Sequence, residues 1–276
     1  MIARKPDNSF PAPSELAIMQ VVRGGRMNQE LTELCSILGR FGVARDGVLI
    51  VHSAIALLSR QGLQAEAIIE ALLNYMANGS LFMPTMTWRT VTPAHPTWDE
   101  LQTPSHTGML TEIFRTRYAI ARSIHPTHSV AGYGPSAKTL LSRHQFDVNP
   151  VSANSPYGLM RDYDASILLL GVGLESCTAI HFPEETINPD LYLQPAHSAE
   201  IYECRDRYGT VHAVRTRRHR HLDRDFPRFQ APLAQKQLLA SGEIAKCPYI
   251  LVSLRDLLRE VFAALIDNPR ATLRAG

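Results

Sequence analysis

The sequence has no apolar run approaching the ~18 residues that a membrane-spanning helix needs. Its first residues, which include Arg4, Lys5 and Asp7, lack the apolar core of a signal peptide. Only four cysteines occur, and none forms a C-x-x-C pair, so neither a zinc ribbon nor a disulfide framework is indicated. We therefore expect a soluble, cytoplasmic protein with no membrane partner.

The sequence also lacks a large excess of charge of either sign. The formal net charge is +2 over 276 residues, which is too small to indicate a nucleic-acid partner. Positive charge is concentrated between Arg215 and Arg224, but no aromatic residue and no RNA-binding motif accompanies that segment. We expect no nucleic acid, and the segment is either a solvated basic face or a clamp for phosphate groups.

What the chain does contain is a regular alternation of helical and strand patterns. Residues 1–28 are rich in Pro and Gly and predict an irregular N-terminal arm, which leaves 29–276 as the folded domain. Alternating helices and strands are typical of an α/β sandwich. The patterns predict helices at 28–41, 65–76, 107–117, 137–142 and 252–266, and strands at 47–53, 79–85 and 165–171.

Polar residues gather where the three predicted strands end. His52 and Ser53 end the first strand, Thr85 ends the second, and Gly171 begins a loop after the third. Ligands of open α/β sheets bind outside the carboxyl ends of the strands, so these segments predict one shared cleft. The segment 88–106 is expected to be a long functional loop.

The segment after the third strand carries the clearest chemical signal. A Gly-x-Gly turn at Gly171 is followed by Ser176 or Thr178, either of which can cap a helix that places His181 about one turn in. Glu184 and Glu185 then stand at spacings that can face the imidazole. A carboxylate on one ring nitrogen leaves the other free as a base, whereas the plainer alternative is a capped helix whose histidine merely packs.

Six blocks occur in an order that resembles the aminoglycoside 3-N-acetyltransferase family. They are Val51-His52-Ser53 and the segments 81–87, 103–115, 121–130, 155–158 and 171–185. The resemblance implies an αβα sandwich around a central mixed sheet, acetyl-CoA as co-substrate, a small-molecule amine as acceptor, and antibiotic resistance as the function. It also implies direct attack of the amine on the thioester in a ternary complex, with His181 as general base and Glu184 as its acidic neighbour. A homodimer is one option for the assembly.

The resemblance extends to individual site residues. Those implied near the cofactor are His52, Ser53, Thr85, Arg122, Ser123, Ser129, Tyr157, Gly171 and Gly173. Those expected near the acceptor are Trp88, Asp99, Glu185, Asp223 and Asp225. The pair His125 and His128 has metal-ligand spacing but no further ligand, so no metal is expected and hydrogen bonding is the expected role. Family members can carry Asn where Cys177 stands, so we interpret Cys177 as structural.

Two departures from the family pattern keep alternatives open. Ala54 stands where the family usually has a second serine, and the C-terminal third is basic where a polycationic acceptor would need carboxylates. The acceptor is therefore an aminoglycoside or amino sugar, or a less cationic and even anionic amine of a biosynthetic pathway. Two further alternatives belong to other classes of protein. One is a hydrolase in which His181 activates water, and the other is a non-catalytic CoA-binding protein.

Overall fold

The computed structural model describes residues 29–274, so the predicted N-terminal arm lies outside the described part of the chain. The strands are β1 (Val48–Ser53), β2 (Ser80–Pro84), β3 (Thr97–Asp99), β4 (Ala121–Arg122), β5 (Val130–Tyr133), β6 (Ala165–Leu170), β7 (Glu200–Arg205), β8 (Val211–Thr216), β9 (Leu239–Ile244) and β10 (Cys247–Ser253). The α-helices are α1 (Gln29–Phe41), α2 (Ala56–Arg60), α3 (Ala65–Tyr75), α4 (Met109–Arg117), α5 (Ala137–Leu141), α6 (Pro156–Leu159), α7 (His181–Ile187), α8 (Pro189–Tyr192), α9 (Gln230–Gln235) and α10 (Leu254–Asp267).

The central sheet is mixed and contains seven strands in the order β4-β5-β2-β1-β6-β10-β9. Strands β2 and β6 both pair in parallel with β1, and the remaining pairs are antiparallel. In the β1–β6 register, Val48 lies opposite Ala165 and Ser53 lies opposite Leu170. The carboxyl ends of the three parallel strands therefore meet at one edge of the sheet, as the sequence predicts.

Both faces of this sheet are covered by helices. Along β1, Val48 and Ile50 pack into one core, with side chains of α5, α6, α7, α9 and α10. Leu49 and Val51 point the other way and pack against α1, α3 and α4. This alternation follows from the two-residue period of a strand, and burial on both faces explains why β1 and β6 are mostly apolar. The predicted αβα sandwich is confirmed.

The segment predicted as one long loop contains a strand. Residues Thr97–Asp99 form β3, which pairs in parallel with β7, and β7 pairs with β8 to give a separate three-stranded sheet. Trp98 packs there with Tyr202 and is almost completely buried. The loop prediction was wrong at this point because β3 is only three residues long and its partner lies about a hundred residues further along the chain.

Two helix starts also differ from the prediction. Val252 belongs to β10, and the last helix begins at Leu254 because the Ser253 hydroxyl accepts a hydrogen bond from the backbone N–H of Asp256. Helix α7 begins at His181 itself, after two short 3₁₀ turns, and no side chain caps it. The expected cap by Ser176 or Thr178 was therefore wrong. None of the helices in residues 29–274 is long and apolar enough to cross a membrane.

Candidate active site

A cavity of about 520 Å³ lies at the carboxyl ends of the parallel strands. Its wall includes Ser53 at the end of β1, Pro84 at the end of β2 and Val172 just after β6, together with Gly108 just before α4. This volume is within the range of ~300–1,000 Å³ that is usual for small-molecule sites. The strand ends that the sequence singled out thus form one cleft.

A smaller cavity of about 260 Å³ adjoins the first one. Trp88, His128 and His181 line both cavities. The rest of its wall consists of Thr127 and the segment 218–224 without Asp223. His181 therefore stands at the junction of two chambers, where each of two ligands can approach the same imidazole.

The His181 ring is held by Glu184, one helical turn further along α7. The distance from His181 Nδ1 to Glu184 Oε2 is 2.7 Å, so Nδ1–H donates to the carboxylate and Nε2 keeps a free lone pair. Pro183 lies in the first turn of α7, where a missing N–H is tolerated, so the helix is not broken between the two residues. The three-residue spacing predicted from the sequence is what brings these groups together.

Glu184 is fully buried and is held by residues far away in the sequence. The Arg224 guanidinium Nε donates to Oε2 at 3.1 Å, and the Thr272 hydroxyl donates to Oε1 at 2.6 Å. Burial alone would raise the pKa of Glu184, but the hydrogen bond from His181 and the charge of Arg224 outweigh it and hold that pKa below its ordinary value. Burial lowers the pKa of His181, and Glu184 opposes this shift. At neutral pH the pair is therefore a carboxylate and a neutral imidazole, which is the state that a general base needs.

A second histidine–glutamate pair lies against the first. The His219 ring packs on the His181 ring with centroids 4.2 Å apart, and His219 Nε2 is 2.8 Å from Glu185 Oε1. Glu185 also accepts a hydrogen bond from the backbone N–H of Val151. Burial raises the pKa of Glu185 well above its ordinary value, which favours a proton shared between Glu185 and His219. The two adjacent glutamates thus fix two stacked imidazoles.

Comparison with known proteins shows which family the chain belongs to. Residues 50–265 match the family described as aminoglycoside 3-N-acetyltransferase. The chain belongs to this family. Aminoglycoside 3-N-acetyltransferases are acetyl-CoA-dependent transferases, so the family, the enzyme class and the co-substrate expected from the motifs are confirmed.

The relatives are distant in sequence. Aminoglycoside N(3)-acetyltransferase IV from Salmonella sp is 27% identical over 238 residues, which cover 86% of this chain and 87% of that protein. The SPbeta prophage-derived aminoglycoside N(3')-acetyltransferase-like protein YokD from Bacillus subtilis (strain 168) is 25% identical over 183 residues, or 59% of this chain. That match spans 66% of YokD, just under two thirds of its length.

Solved structures confirm the fold. A histidine-to-alanine variant of aminoglycoside acetyltransferase AAC(3)-IVa, in complex with a gentamicin, has a TM-score of 0.72 and 25% identity, with coverage of 88% of this chain and 91% of AAC(3)-IVa. AAC-IIIb in a binary complex with CoASH has a TM-score of 0.70 and 19% identity, with coverage of 86% and 96%. The acetyltransferase fold is therefore shared over most of the chain.

Only some of the residues that the family resemblance places near the cofactor line a cavity in this acetyltransferase. His52 and Ser53 line the larger cavity, and the Ser53 hydroxyl is buried without a hydrogen-bond partner among the described residues. Burial lowers the pKa of His52 to about 4, so its ring is neutral at pH 7. Gly171 adopts a φ of +73° in the turn after β6, where an added Cβ would lie 2.1 Å from the Ala54 carbonyl oxygen. The backbone N–H of Gly173 donates to the Glu175 carboxylate at 2.7 Å.

The remaining cofactor candidates lie behind the wall of the larger cavity. Arg122 Nε donates to Thr85 Oγ1 at 3.1 Å and to Ser129 Oγ at 3.0 Å, and its other nitrogens bond to backbone carbonyls. Ser123 is 2.9 Å from His144 Nδ1, and Tyr157 is fully buried in the core. These five side chains hydrogen-bond or pack within the protein, and none is among the residues that line the two cavities.

The acceptor candidates are scattered. Trp88 lines both cavities, and its ring meets the His106 ring edge-on at 4.8 Å. Asp99 belongs to the small sheet and lines another hollow, whereas Asp223 faces Arg274 at 3.4 Å and is mostly exposed. Asp225 precedes a short 3₁₀ turn, and neither Asp223 nor Asp225 is among the residues that line the two cavities at His181. Of the five candidates, only Trp88 forms part of their walls.

Cys177 lines the larger cavity but is almost inaccessible. Its side chain is fully buried, and burial raises the pKa of the thiol to about 12. A thiol in that state is a poor nucleophile at neutral pH, because the thiolate is the reactive form. This geometry supports a packing role for Cys177.

The loop that contains His125 and His128 is organised by hydrogen bonds. His125 Nδ1 accepts from the backbone N–H of Thr127 at 3.2 Å and from that of His128 at 3.0 Å. Burial lowers the pKa of both histidines well below the ordinary value, so both rings are neutral. Within residues 29–274 no group of three or more His, Cys, Asp or Glu side chains is arranged to hold a metal ion.

Sequence reasoning missed the partners that complete the site. The contacts of Glu184 with Arg224 and Thr272, and the stacking of His219 on His181, join residues 38 to 88 positions apart. His106 also lines the larger cavity, and the sequence pattern of segment 103–115 indicates no role for it. No local periodicity links such positions, so only the basic segment 215–224 offered a signal, and that signal was ambiguous.

Proposed function

We propose that the chain transfers an acetyl group from acetyl-CoA to the amino group of a small molecule, with His181 as the general base. The observation that carries this proposal is the position of His181 at the junction of two cavities, with Glu184 on its Nδ1. A transfer without a covalent enzyme intermediate needs both ligands beside one base, and two adjoining chambers meet that need. Membership of the acetyltransferase family supports the same reading.

The chemistry follows from the state of the dyad. An alkylamine with a pKa near that of lysine is mostly protonated at pH 7, so a base must assist its attack. The amine attacks in its neutral form, after its ammonium proton has passed to solvent. As the C–N bond forms at the thioester carbonyl, His181 Nε2 accepts a second proton from the nitrogen and Glu184 stabilises the resulting imidazolium. Collapse of the tetrahedral intermediate breaks the C–S bond, and CoA leaves as a thiolate that takes up the proton from His181.

The negative charge on the carbonyl oxygen needs a donor during this step. Thr85 and Ser129 bond to each other and to Arg122, so their hydroxyls are already occupied. Ser53 lines the larger cavity, and its buried hydroxyl has no partner among residues 29–274. Ser53 is therefore the donor that we assign to the oxyanion.

The acceptor is the less defined half of the reaction. AAC(3)-IVa binds a gentamicin, which favours an aminoglycoside or a related amino sugar and a role in antibiotic resistance. The three arginines on the wall of the smaller cavity favour instead an acceptor of lower positive charge. Hydrolysis of an acyl group by a water activated at His181 is the alternative from another class.

The proposal is tested by the release of free thiol from acetyl-CoA with a panel of amines and a control without acceptor. His181→Ala should lower the rate by about a hundredfold or more, the usual contribution of general-base catalysis. His212→Ala is the matched control, because His212 pairs with Asp206 on the small sheet and is not among the residues that line the two cavities at His181. Near-normal rates in His181→Ala would remove it from the mechanism, and thiol release without an amine would indicate a hydrolase.

A further inference from the structure

The smaller cavity is lined by cationic groups without acidic ones. Arg218, Arg220 and Arg224 line it together with His221, and no Asp or Glu is among its lining residues within the described chain. In the larger cavity the corresponding charges are Arg89 and Glu175, so that wall is nearly balanced. The two chambers that meet at His181 therefore differ in charge.

Two of the three arginines are oriented by backbone carbonyl groups. Arg218 Nη2 donates to the Trp88 carbonyl oxygen at 2.7 Å, and Arg220 Nε donates to the Leu193 carbonyl oxygen at 2.9 Å. A carbonyl oxygen orients a guanidinium without neutralising its charge. Both side chains are half-buried and held in place at the cavity wall, which favours a built anion site over a solvated basic face.

Arg224 provides a second observation that favours an anion site. Its Nε bonds to Glu184 and its Nη1 bonds to the Arg220 carbonyl oxygen, but its Nη2 is buried and has no partner among the described residues. An unpaired buried donor destabilises the folded protein unless something binds it. Since Arg224 lines the smaller cavity, an anionic oxygen bound there would lie beside this guanidinium.

We infer that the smaller cavity binds an acidic group of the acceptor, so that the substrate class is a small amine that also carries a phosphate or a carboxylate. This inference rests on the proposed acetyl transfer. Arginine presents a planar fork that matches both acidic groups. The chamber of about 260 Å³ is just below the ~300 Å³ that begins the usual range for drug-sized ligands, which suits an acceptor of one ring or less.

The same chemistry could be supplied by the phosphates of CoA, and the test must separate the two sources. Glucosamine and glucosamine 6-phosphate form a matched acceptor pair that differs only in the acidic group. Acetyl-CoA and acetyl-dephospho-CoA form the matching donor pair. The variants are Arg218→Gln and Arg220→Gln, with Arg215→Gln as control, because Arg215 belongs to the same basic segment but is exposed on β8 and is not among the cavity-lining residues.

The expected result is that glucosamine 6-phosphate has a kcat/KM at least about tenfold above that of glucosamine. Arg218→Gln and Arg220→Gln should each raise the KM for the phosphorylated acceptor by about tenfold and leave the KM for acetyl-CoA nearly unchanged. Arg215→Gln should alter neither constant. Thermal melting of each variant confirms that it is folded.

Three results would overturn the inference. One is equal use of glucosamine and its phosphate, and another is a preference for aminoglycosides over both; either would leave acetyl transfer intact. The third is a raised KM for acetyl-CoA in either arginine variant, because the arginines would then hold the cofactor. An effect that disappears with acetyl-dephospho-CoA would place them at the 3′-phosphate, and an effect that persists would place them at the diphosphate.

If no acceptor supports thiol release, the proposed function fails by itself. Calorimetric binding of glucosamine 6-phosphate in the presence of CoA then decides the inference. Binding that is lost in Arg218→Gln supports an acidic ligand in the smaller cavity, and the absence of binding to the wild-type protein overturns it.

Discussion

Replacement of Glu184 by Gln isolates the charge of this carboxylate from its shape. Gln is nearly isosteric with Glu, but three donors face the wild-type carboxylate, from His181, Arg224 and Thr272. The neutral amide has one oxygen and presents an N–H₂ group to the remaining donors. It can also donate to His181 Nδ1, which would place the ring proton on Nε2 and remove the base.

The size of the effect follows from Coulomb's law. Unit charges ~4 Å apart in an effective dielectric of ~20 attract by about 4 kcal/mol, which corresponds to roughly a thousandfold in rate. Arg224 Nε lies 3.1 Å from the same carboxylate and offsets part of the attraction for the His181 imidazolium. We therefore expect kcat/KM to fall by about a hundredfold in Glu184→Gln.

The pH profile gives an independent readout. Burial already lowers the pKa of His181, and Glu184 opposes that shift, so loss of the carboxylate lowers this pKa further. A base works in its neutral form, and its activity is lost as the pH falls through its pKa. The acid limb of kcat/KM should thus move to lower pH in Glu184→Gln, while the plateau is reduced.

The assay is thiol release from acetyl-CoA between pH ~5.5 and ~9, a range that spans the ordinary pKa of histidine, with circular dichroism and thermal melting to confirm folding. Thr272→Val is the matched control, since it removes one hydrogen bond to Glu184 and keeps the negative charge. We expect a loss of about tenfold or less in that variant. A folded Glu184→Gln enzyme with an unchanged acid limb and a plateau near that of the wild type would refute the assigned role.

Three further predictions concern the walls of the site. Cys177→Ser should keep the rate within about threefold, because a buried thiol acts as a small apolar group; a folded but inactive variant would restore an acyl-enzyme mechanism. Gly171→Ala should destabilise the protein by about 2 kcal/mol or more in urea unfolding, because φ is +73° and the new Cβ would meet the Ala54 carbonyl oxygen at 2.1 Å. Burial lowers the pKa of His52 and His144 to about 4, so stability should be full above pH ~6.5 and fall by up to ~1.4 kcal/mol per pH unit for each ring below it. Equal unfolding free energies at pH ~7.5 and ~5.5, on either side of the ordinary histidine pKa, would contradict this.

Much of the scaffold was predictable because its signals are local. β1 and β6 are short strands with four consecutive apolar residues each, and the predicted helices at 65–76 and 137–142 match the observed ones to within one residue at each end. The strand β3 escaped prediction, since three residues carry no periodicity of their own. Polar residues after the parallel strands predicted a cleft, and the larger cavity lies there.

Whether the contacts of a single residue could be predicted also depends on how local those contacts are. The spacing of His181 and Glu184 is a property of one helical turn, so the pair could be predicted from the sequence alone. Glu185 satisfies the same spacing rule but bonds to His219 and to the backbone N–H of Val151 instead of His181, because the packing of α7 turns its side chain into the protein.

By itself, the sequence determined the sandwich, the cleft at the strand ends and the His181–Glu184 pair, because each depends on neighbours within a few residues. Tertiary structure alone decided that Arg224 and Thr272 hold Glu184, that His219 stacks on His181, and that a second, cationic chamber opens beside them. Those contacts join distant segments, and their geometry is set by how the whole chain packs.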